Sequence, residues 1–459
     1  MLRDRNETIA AIATPMGEAG IAIIRVSGAN AIGTVDAVFR GKARLAVAES
    51  HTVHFGTIVH PAEGSLDQVL VSVFRNPRSY TGEDSVEISC HGSYYVATKI
   101  LETVIGAGAR LADPGEFTQR AFLNGKMDLM QAEAVADLIH SKTALAHRAS
   151  MEQLNGRLSE AIAGMRQRLI ELCSLLELEL DFAEEGLQIS DAGKVNVAFE
   201  VAITELNELI ASYGMGKLIR DGVKVVLAGN PNAGKSSLLN LLLQENRAIV
   251  SEFPGTTRDV IEETIAIKGI AFRLIDTAGL RLTSDLVEQE GVKRSNLQID
   301  AADMILLLVD SSVPGSAEDE FVRKIVGTYS SKVLIVFNKI DLISHPERMK
   351  PPVGVDNIQV SCVTREGVHA LEKRLHERAL ASCDSTSSSV RIQSARHREL
   401  LARTLSSVAS AQTAYRDQAG GELVAIDLRA ALNYLGEIIG LTTPDDVLNN
   451  IFGRFCIGK

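Results

Sequence analysis

The stretch VKVVLAGNPNAGKSSLLNLLL, residues 223–243, predicts a strand, a loop and a helix in the middle of the chain. It opens with an apolar, β-branched run typical of a buried strand and closes with leucines that favour a helix. Between them, Gly229 to Ser236 follow the pattern GxxxxGK with a final Ser or Thr. Such a loop presents backbone N–H groups and a helix N-terminus to phosphates. We expect Lys235 to reach the β- and γ-phosphates of a nucleotide and Ser236 to coordinate Mg²⁺.

Strand-like and helical runs alternate from about 217 to 380. The strand-like runs there are VKVVLAG, AFRLIDTAG, ADMILLLVD, KVLIVFNK and IQVSCV. This alternation predicts a parallel sheet flanked by helices. The first 120 residues differ. Their strand-like runs are short, rich in β-branched residues and bounded by Gly, Pro and Asn: IAIIRVSG, HTVHFGTIVH, QVLVSVFR and SVEISCHG. They predict an N-terminal α+β domain.

Long helices are predicted on both sides of the phosphate loop domain. Proline is absent between Pro114 and Pro231 and between Pro352 and Pro444, which permits uninterrupted helices. Apolar residues recur at threes and fours from 130 to 182, and again from about 395 to 453 with breaks near Gly420 and Thr442.

The predicted fold class is therefore multidomain α+β. An N-terminal α+β domain covers 1–120. A helical domain follows, split by an inserted Ras-like α/β P-loop domain. Its first half is 121–216, the insert is 217–380, and its second half with the terminal CIGK is 381–459. The Ser-rich run ASCDSTSSSV is interpreted as the linker back into the helices.

Four further motifs indicate which nucleotide is bound. In NKID, Asn338 to Asp341, a carboxylate after an apolar strand can accept hydrogen bonds from N1–H and the 2-amino group of guanine, which adenine does not offer. In SCV, Ser361 to Val363, a backbone amide can meet guanine O6. DTAG begins with a Mg²⁺-side aspartate, Asp276, and GTTRD contains Thr257 as a metal ligand. Together the motifs predict a GTPase.

One position departs from the Ras pattern. Ras-like enzymes place a water-orienting glutamine directly after DTAG and use an arginine finger for charge. Here the residue is Leu280, which can neither orient water nor accept a proton. Asn232, inside the phosphate loop, offers a side-chain oxygen at which a monovalent cation could supply the missing charge.

Composition narrows the class of protein. The chain has 459 residues, a net charge of −11 and five scattered cysteines without a CxxC pair. The charge argues against coating nucleic acid by electrostatics alone, although a local basic surface stays possible. The cysteines argue against a disulfide framework or a zinc site. We find no signal peptide or membrane-spanning run, so we expect a cytoplasmic protein without membrane association.

The residues resemble one family along the whole chain, the MnmE (TrmE) tRNA-modification GTPases. The shared motifs are GIAIIRVSG at 20–28, SYTGEDSVEISCHG at 79–92, PGEFTQRAFLNGKMDLMQAEAVADLI at 114–139, GNPNAGKSSLLN, FPGTTRD, DTAGLR and the terminal FCIGK. Several of these are not general GTPase features, so the likeness is more specific than the phosphate loop alone.

This resemblance implies a homodimer formed through an N-terminal domain that binds a 5-formyl-tetrahydrofolate-type cofactor. It implies GTP hydrolysis activated by K⁺ and dependent on Mg²⁺. It also implies a partner, an MnmG (GidA)-type protein that uses FAD and NADH. Together the two would add an aminomethyl or carboxymethylaminomethyl group to C5 of the wobble uridine, U34, of certain tRNAs, with a tetrahydrofolate one-carbon unit.

The resemblance also assigns residues. The K⁺ ligands would be Asn232, Ser251, Phe253 and Thr256, the Mg²⁺ ligands Ser236 and Thr257, and Glu288 would orient the attacking water. The folate site would hold Arg25, Glu87, Lys126 and Lys459. The nucleotide contacts would be Asn232, Ala233, Gly234, Lys235, Ser236, Ser237, Ser251, Glu252, Phe253, Pro254, Gly255, Thr256, Thr257, Asp276, Thr277, Ala278, Gly279, Asn338, Lys339, Ile340, Asp341, Ser361, Cys362 and Val363.

Two alternatives and one open question accompany this interpretation. The protein could be a regulatory switch that only binds GTP, or a folate-dependent one-carbon transferase without GTP coupling. At the terminus, prenylation of Cys456 is disfavoured, because Lys459 is atypical as a last residue and no second lipid signal is present. We expect Cys456 to lie beside the folate, either as a nucleophile or as a positioning thiol.

Overall fold

The computed structural model describes residues 7–181, 192–246, 262–276, 297–313, 315–343, 354–381, 391–453 and 455–459. The chain forms two compact units. The first consists of Met1–Ala136, Gln153–Phe199 and Ser406–Lys459, and the second of Asp137–Glu152 and Glu200–Leu405. The domain limits at 120, 216 and 380 stay a prediction.

The N-terminal part of the first unit is a seven-stranded sheet of order β3-β4-β5-β6-β2-β1-β7. The strands are β1 Ile9–Ile12, β2 Ala19–Ser27, β3 Phe39–Gly41, β4 Thr52–His60, β5 Gly64–Phe74, β6 Ser85–Gly92 and β7 Arg110–Leu111. All pairings are antiparallel except that of β1 with β7. The helices are α1 Ala31–Val38, α2 Tyr94–Gly106 and α3 Glu116–Leu123.

Alternation along β2 and β6 divides the sheet into two faces. Ile24 and Val26 are fully buried in a core that includes residues of α1 and α2. Their neighbour Arg25 points to the opposite face, since successive side chains alternate along a strand. The register pairs Arg25 with Glu87 of β6, so both polar side chains lie side by side on that second face.

The helical segment after the N-terminal domain consists of several helices. They are α4 Leu129–His140, α5 Ala144–Leu154, α6 Arg157–Asp181, α7 Ala192–Ala211 and α8 Tyr213–Asp221. The periodic run from 130 to 182 is thus broken twice, at 141–143 and at 155–156. At the second break Gly156 has a φ of +85°, a conformation that ends a helix.

The inserted domain is a six-stranded sheet of order β13-β12-β11-β8-β10-β9. Its strands are β8 Val223–Gly229, β9 Glu262–Ile267, β10 Ile270–Asp276, β11 Met304–Asp310, β12 Val333–Asn338 and β13 Asn357–Gln359. Its helices are α9 Lys235–Asn246, α10 Glu320–Tyr329 and α11 Val368–Ala381. Two apolar clusters bury alternate side chains of the strands.

The parallel arrangement holds for β8, β10, β11, β12 and β13. The edge strand β9 is antiparallel to β10, which the sequence interpretation missed. Its sequence, EETIAI, is joined to β10 by the two-residue turn Lys268–Gly269, so the two strands form a hairpin rather than a crossover.

Three further helices follow: α12 Ala395–Arg416, α13 Gly421–Ile439 and α14 Asp445–Phe452. They match the predicted breaks near Gly420 and Thr442. Arg429 of α13 forms an ion pair of 2.7 Å with Glu177 of α6. Leu129, Leu448, Phe452 and Phe455 share one apolar cluster. The predicted fold class, an α+β domain and a helical domain split by a P-loop domain, is confirmed.

Candidate functional site

The phosphate loop joins the end of β8 to the start of α9. Lys235, the first residue of α9, is 8% exposed, and its Nζ donates hydrogen bonds to the carbonyls of Gly229 (2.7 Å) and Asn230 (2.9 Å). The ammonium group therefore lies over the loop, where the N-terminus of α9 already favours anions. Asn232 is exposed and has a left-handed backbone, with φ +63°.

Ser236 and Asp276 meet beside this loop. Ser236 Oγ donates to Asp276 Oδ2 at 3.0 Å, and Asp276 is buried at the carboxyl end of β10. A hydroxyl and a carboxylate are hard oxygen ligands of the kind that Mg²⁺ takes alongside phosphate oxygens. These two residues fit a magnesium ion at the phosphates of a nucleotide.

Hydrogen bonds of the Asn338 side chain connect the base-binding motifs to the phosphate loop. Asn338 Nδ2 donates to the carbonyl of Ala233 at 2.9 Å, and Asn338 Oδ1 accepts from the N–H of Cys362 at 3.3 Å. A side chain at Gly234 would not fit, because its Cβ would lie 2.1 Å from Asn338 Nδ2. The close approach of the Asn338 side chain to the phosphate loop, together with a φ of +97° at residue 234, thus requires glycine there.

Asp341 is oriented by Ser361. The hydroxyl of Ser361 donates to Asp341 Oδ1 at 2.6 Å and accepts the N–H of Thr364 at 3.0 Å. The SCV turn and the NKID carboxylate are therefore brought together, as a guanine site needs. The structure places the described members of the phosphate loop, DTAG, NKID and SCV at one edge of the sheet, where parallel strands end and ligands bind in open α/β folds.

One residue of this site was missed by sequence reasoning. Asp310, the last residue of β11, pairs with Lys339 of NKID at 2.6 Å between Oδ2 and Nζ. The only sequence signal was an aspartate ending an apolar strand next to the NKID strand. Such residues lie at the ligand-binding edge of a parallel sheet.

Part of the predicted site lies outside the described residues. It comprises Ser251, Glu252, Phe253, Pro254, Gly255, Thr256, Thr257, Thr277, Ala278, Gly279 and Glu288, together with Leu280.

A second polar site lies on the second face of the N-terminal sheet, opposite the core that includes residues of α1 and α2. Arg25 donates from Nε (3.0 Å) and Nη2 (2.8 Å) to one carboxylate oxygen of Glu87. The guanidinium carbon lies 5.2 Å from the ring centroid of Tyr80 and 5.7 Å from that of Phe117, within the range of cation–π contact. Both aromatic residues were missed by sequence reasoning, although they stand inside the quoted motifs.

The end of the chain reaches this site. Arg25 Nη1 donates to the carbonyl of Gly458 at 3.4 Å. Gly458 has a φ of +94°, and a Cβ there would lie 2.5 Å from the carbonyl of Ile12. Burial, with a smaller contribution from Arg25, lowers the pKa of the Lys459 ammonium, while Glu87 opposes that shift. Arg25, Glu87 and Lys459 are therefore neighbours.

The terminal segment is anchored one residue before the thiol. Phe455 is buried, and its ring centroid is 5.6 Å from that of Phe452. Cys456 follows as an exposed free thiol, and its carbonyl accepts the N–H of Lys459 at 3.3 Å. The tail thus holds a cysteine at the surface beside the Arg25 site.

Lys126 contacts a different loop. It is exposed, and its Nζ donates to the carbonyl of Pro77 at 3.1 Å. Its stem is close to Gly82, where an added Cβ would lie 3.3 Å from Lys126 Cγ. Its contacts are thus with the 77–82 loop, which also carries Tyr80.

A buried ion network holds that loop against α3. Glu116 accepts from Arg110 (2.6 Å) and Arg120 (2.9 Å), and Arg120 also pairs with Glu83 at 3.2 Å. Burial alone raises the pKa of Glu116, but the bonds from Arg110, Asp113 N–H and Arg120 outweigh it and hold that pKa below its ordinary value. Tyr80 is fixed to α3 by a 2.8 Å hydrogen bond between its hydroxyl and that of Thr118.

Among the helices that the structure describes, none is long and apolar enough to cross a bilayer.

Comparison with known proteins covers almost the entire chain. Residues 8–126 match the family model described as GTP-binding protein TrmE N-terminus, and residues 129–456 match the MnmE helical domain. The tRNA modification GTPase MnmE of Carboxydothermus hydrogenoformans is 43% identical over 461 residues, spanning 99% of this chain and 100% of that protein. The protein of the same name from Moorella thermoacetica is 44% identical over 470 residues, with coverage of 99% and 100%.

Proposed function

The chain belongs to the MnmE family and is a tRNA modification GTPase, and from this premise we propose how its two sites are used. GTP hydrolysis is activated by K⁺ and drives a modification at C5 of U34, the wobble uridine. An MnmG (GidA)-type FAD protein is the partner. A tetrahydrofolate one-carbon unit, bound on the N-terminal domain, supplies the carbon of the aminomethyl or carboxymethylaminomethyl group.

One observation carries this proposal. Arg25, Glu87 and the chain terminus converge on the second face of the N-terminal sheet, in a chain that also has a nucleotide site built from four motifs. A switch that only binds GTP has no use for the first cluster, and a transferase without GTP coupling has no use for the second. A coupled enzyme uses both.

At the nucleotide site, each described residue has a separate task. Lys235 neutralises the β- and γ-phosphates. Ser236 and Asp276 would hold Mg²⁺, with Thr257 as a further ligand, and the ion would supply positive charge to the phosphate oxygens. Asp341, oriented by Ser361, accepts from the guanine edge, and Asn338 joins the base site to the phosphate loop.

Activation by K⁺ fits the exposed amide of Asn232. Its backbone is left-handed and the residue is exposed, so the side-chain oxygen is accessible to an ion. The remaining ligands would be backbone oxygens of Ser251 and Phe253 together with Thr256. Glu288 would orient the attacking water through a second water, which explains how Leu280 is tolerated where Ras has glutamine.

The folate site fits the groups on the second face of the N-terminal sheet. A folate has a pterin with an amidine-like edge, which suits one carboxylate, and an anionic glutamate tail, which suits cations. Glu87 is that carboxylate, and Arg25, Lys126 and Lys459 are the cations. Tyr80 and Phe117 pack against the Arg25 guanidinium and help to fix its position. Cys456 would lie near the one-carbon unit.

The assembly would be a homodimer through the N-terminal domain, acting in the cytoplasm with its MnmG-type partner and tRNA. Binding of a folate to the protein tests the proposed folate site directly. Isothermal titration of 5-formyl-tetrahydrofolate should show binding, and no binding at all would favour the GTP-only switch.

The proposed activation by K⁺ is tested by comparing the rate of GTP hydrolysis in K⁺ with the rate in Na⁺ at equal ionic strength. We expect hydrolysis to be at least about tenfold faster in K⁺, in keeping with one charge placed at the developing negative charge of the transition state. Equal rates in the two salts would rule out the K⁺ mechanism. Asn232→Lys should reduce the dependence on K⁺, because a tethered ammonium replaces the ion.

A further inference from the structure

We propose that Asp310 is a positioning residue for the guanine base, acting through Lys339. Lys339 belongs to the NKID motif, and Asp310 lies 29 positions earlier at the end of β11. The carboxylate fixes the lysine ammonium, so that the lysine's methylene stem forms an apolar wall of the base site.

The fold puts Asp310 in the right place. In the β11–β12 pairing, Asp310 is opposite Asn338, the first residue of NKID. In the β11–β8 pairing, Leu308 is opposite Gly229, the first residue of the phosphate loop. Asp310 therefore lies two residues beyond Leu308, the last residue of β11 that pairs with β8. This position is at the ligand-binding edge of the sheet, between the phosphate loop and NKID.

The backbone of Lys339 provides an independent observation. Its φ is +65°, in the left-handed region. For a residue with a Cβ this conformation is strained and persists where surrounding contacts determine it, often at functional sites. Lys339 follows Asn338 directly, and Asn338 is itself held by the phosphate loop.

Both carboxylate oxygens of Asp310 are engaged. Oδ2 accepts from Lys339 Nζ at 2.6 Å, and Oδ1 accepts from the hydroxyl (2.6 Å) and the N–H (3.0 Å) of Ser312. The side chains of Asp310 and Lys339 are 15% and 30% exposed. Burial raises the pKa of Asp310, but Lys339 and Ser312 outweigh it, so the carboxylate stays charged at neutral pH.

Lys339 is held at both ends, and this should favour binding of the guanine base. The backbone is fixed at Asn338 and the ammonium at Asp310, so the four methylenes between them lose most of their rotational freedom before a nucleotide arrives. A surface ordered in advance binds more tightly, because less side-chain entropy is lost on binding. Asp341, two residues on, reads the base edge, whereas the stem covers a ring face.

The test uses the full-length protein and fluorescent mant-GDP, in Mg²⁺ and K⁺. Asp310→Asn should raise the Kd about tenfold, since one charged hydrogen bond is replaced by a weaker one. KM for GTP should rise by a similar factor while kcat at saturating GTP is retained. Because a ring wall does not sense the 2-amino group, the Kd for inosine diphosphate should rise by the same factor as that for GDP.

Two further variants establish the route through Lys339. Lys339→Met removes the ammonium, and in that background Asp310→Asn should cause no additional loss of affinity. Asp310→Glu keeps the charge and should recover part of the affinity, and it carries the test if Asp310→Asn does not fold. Asp356→Asn, which removes a peripheral carboxylate paired with Arg374 at 3.7 Å, is the matched control and should leave the Kd unchanged.

The proposal is overturned by any of three results. The first is an unchanged Kd in Asp310→Asn. The second is additive losses in the Asp310→Asn, Lys339→Met double variant. The third is a loss of affinity for GDP that is not seen for inosine diphosphate, which would mean that Asp310 acts on the base edge.

Discussion

Arg25 and Glu87 face each other across β2 and β6, and the guanidinium donates from two nitrogens to one oxygen of the carboxylate. Their partial burial, at 15% and 28% exposure, makes the pair more than a surface ion pair. The second carboxylate oxygen of Glu87 is not involved in this contact, which suits a group that also serves a ligand.

Replacing Glu87 should therefore weaken folate binding. In Glu87→Gln the amide offers a weaker acceptor to the pterin edge and to Arg25. We expect the Kd for 5-formyl-tetrahydrofolate to rise about tenfold or more by isothermal titration, equivalent to losing one charged hydrogen bond. KM for GTP should not change. Glu63→Gln, which alters a peripheral pair with Lys99, is the control. Equal folate affinity in the two variants would exclude Glu87 from the site.

Loss of the Lys235 ammonium should strongly reduce GTP turnover. In Lys235→Met the phosphates lose the charge that now lies over the loop. We expect kcat/KM for GTP to fall by about a hundredfold or more, as on removal of one preorganised charged donor. The control is Lys217→Met, on the exposed surface of α8. A variant with near-normal kcat/KM would contradict the assigned role.

The buried ion network around Glu116 should dominate the stability of the N-terminal domain. Glu116→Gln leaves Arg110 and Arg120 without the charge that accepts their hydrogen bonds. Removing one partner of a buried network costs about 3 kcal/mol. Urea denaturation should show that loss in the transition of this domain, and Glu102→Gln, an exposed change on α2, should show little.

The same network makes stability depend on pH in a defined direction. The folded pKa of Glu116 lies below its ordinary value of 4.5. The unfolded chain therefore binds more protons near that pH, so the contribution of Glu116 is complete above 4.5 and is lost as pH falls through the folded pKa. The difference in unfolding free energy between wild type and Glu116→Gln should shrink in that acid window. A difference that grows with acid would contradict the network.

Cys456 should be needed for the modification and not for the nucleotide chemistry. Its thiol is exposed beside the Arg25 site and belongs to the unit that contains the N-terminal sheet. Cys456→Ser should lower U34 modification, measured by nucleoside mass spectrometry, with KM for GTP unchanged. Full modification of U34 by this variant would show that the thiol is not needed for the reaction. Cys456→Ala showing the same loss as Cys456→Ser would favour a nucleophile over a polar positioning group.

The sequence predicted the parts of the site that are local in the chain. The phosphate loop lies within one strand–loop–helix unit, and NKID and SCV each follow one strand, so their patterns are readable without a fold. The antiparallel strand β9 was missed because its six residues carry two glutamates and little apolar alternation. The breaks in the helical run at 141–143 and 155–156 depend on local turns that periodicity does not register.

The remaining parts depend on strand pairing over long distances. Asp310 meets Lys339 only because β11 and β12 are neighbours in a given register. Tyr80 and Phe117 meet Arg25 from 55 and 92 positions away, brought there by the sheet and by α3. Lys126 was assigned by resemblance alone, and its described contacts are with the 77–82 loop.

The proposed function makes GTP turnover on this chain a requirement for the modification of U34. Mass spectrometry of nucleosides from bulk tRNA should compare cells with the intact gene, cells without it, and cells complemented by Lys235→Met. We predict that the aminomethyl-type groups at C5 of U34 disappear in the deletion and are not restored by Lys235→Met. Unchanged U34 in the deletion strain would contradict the account.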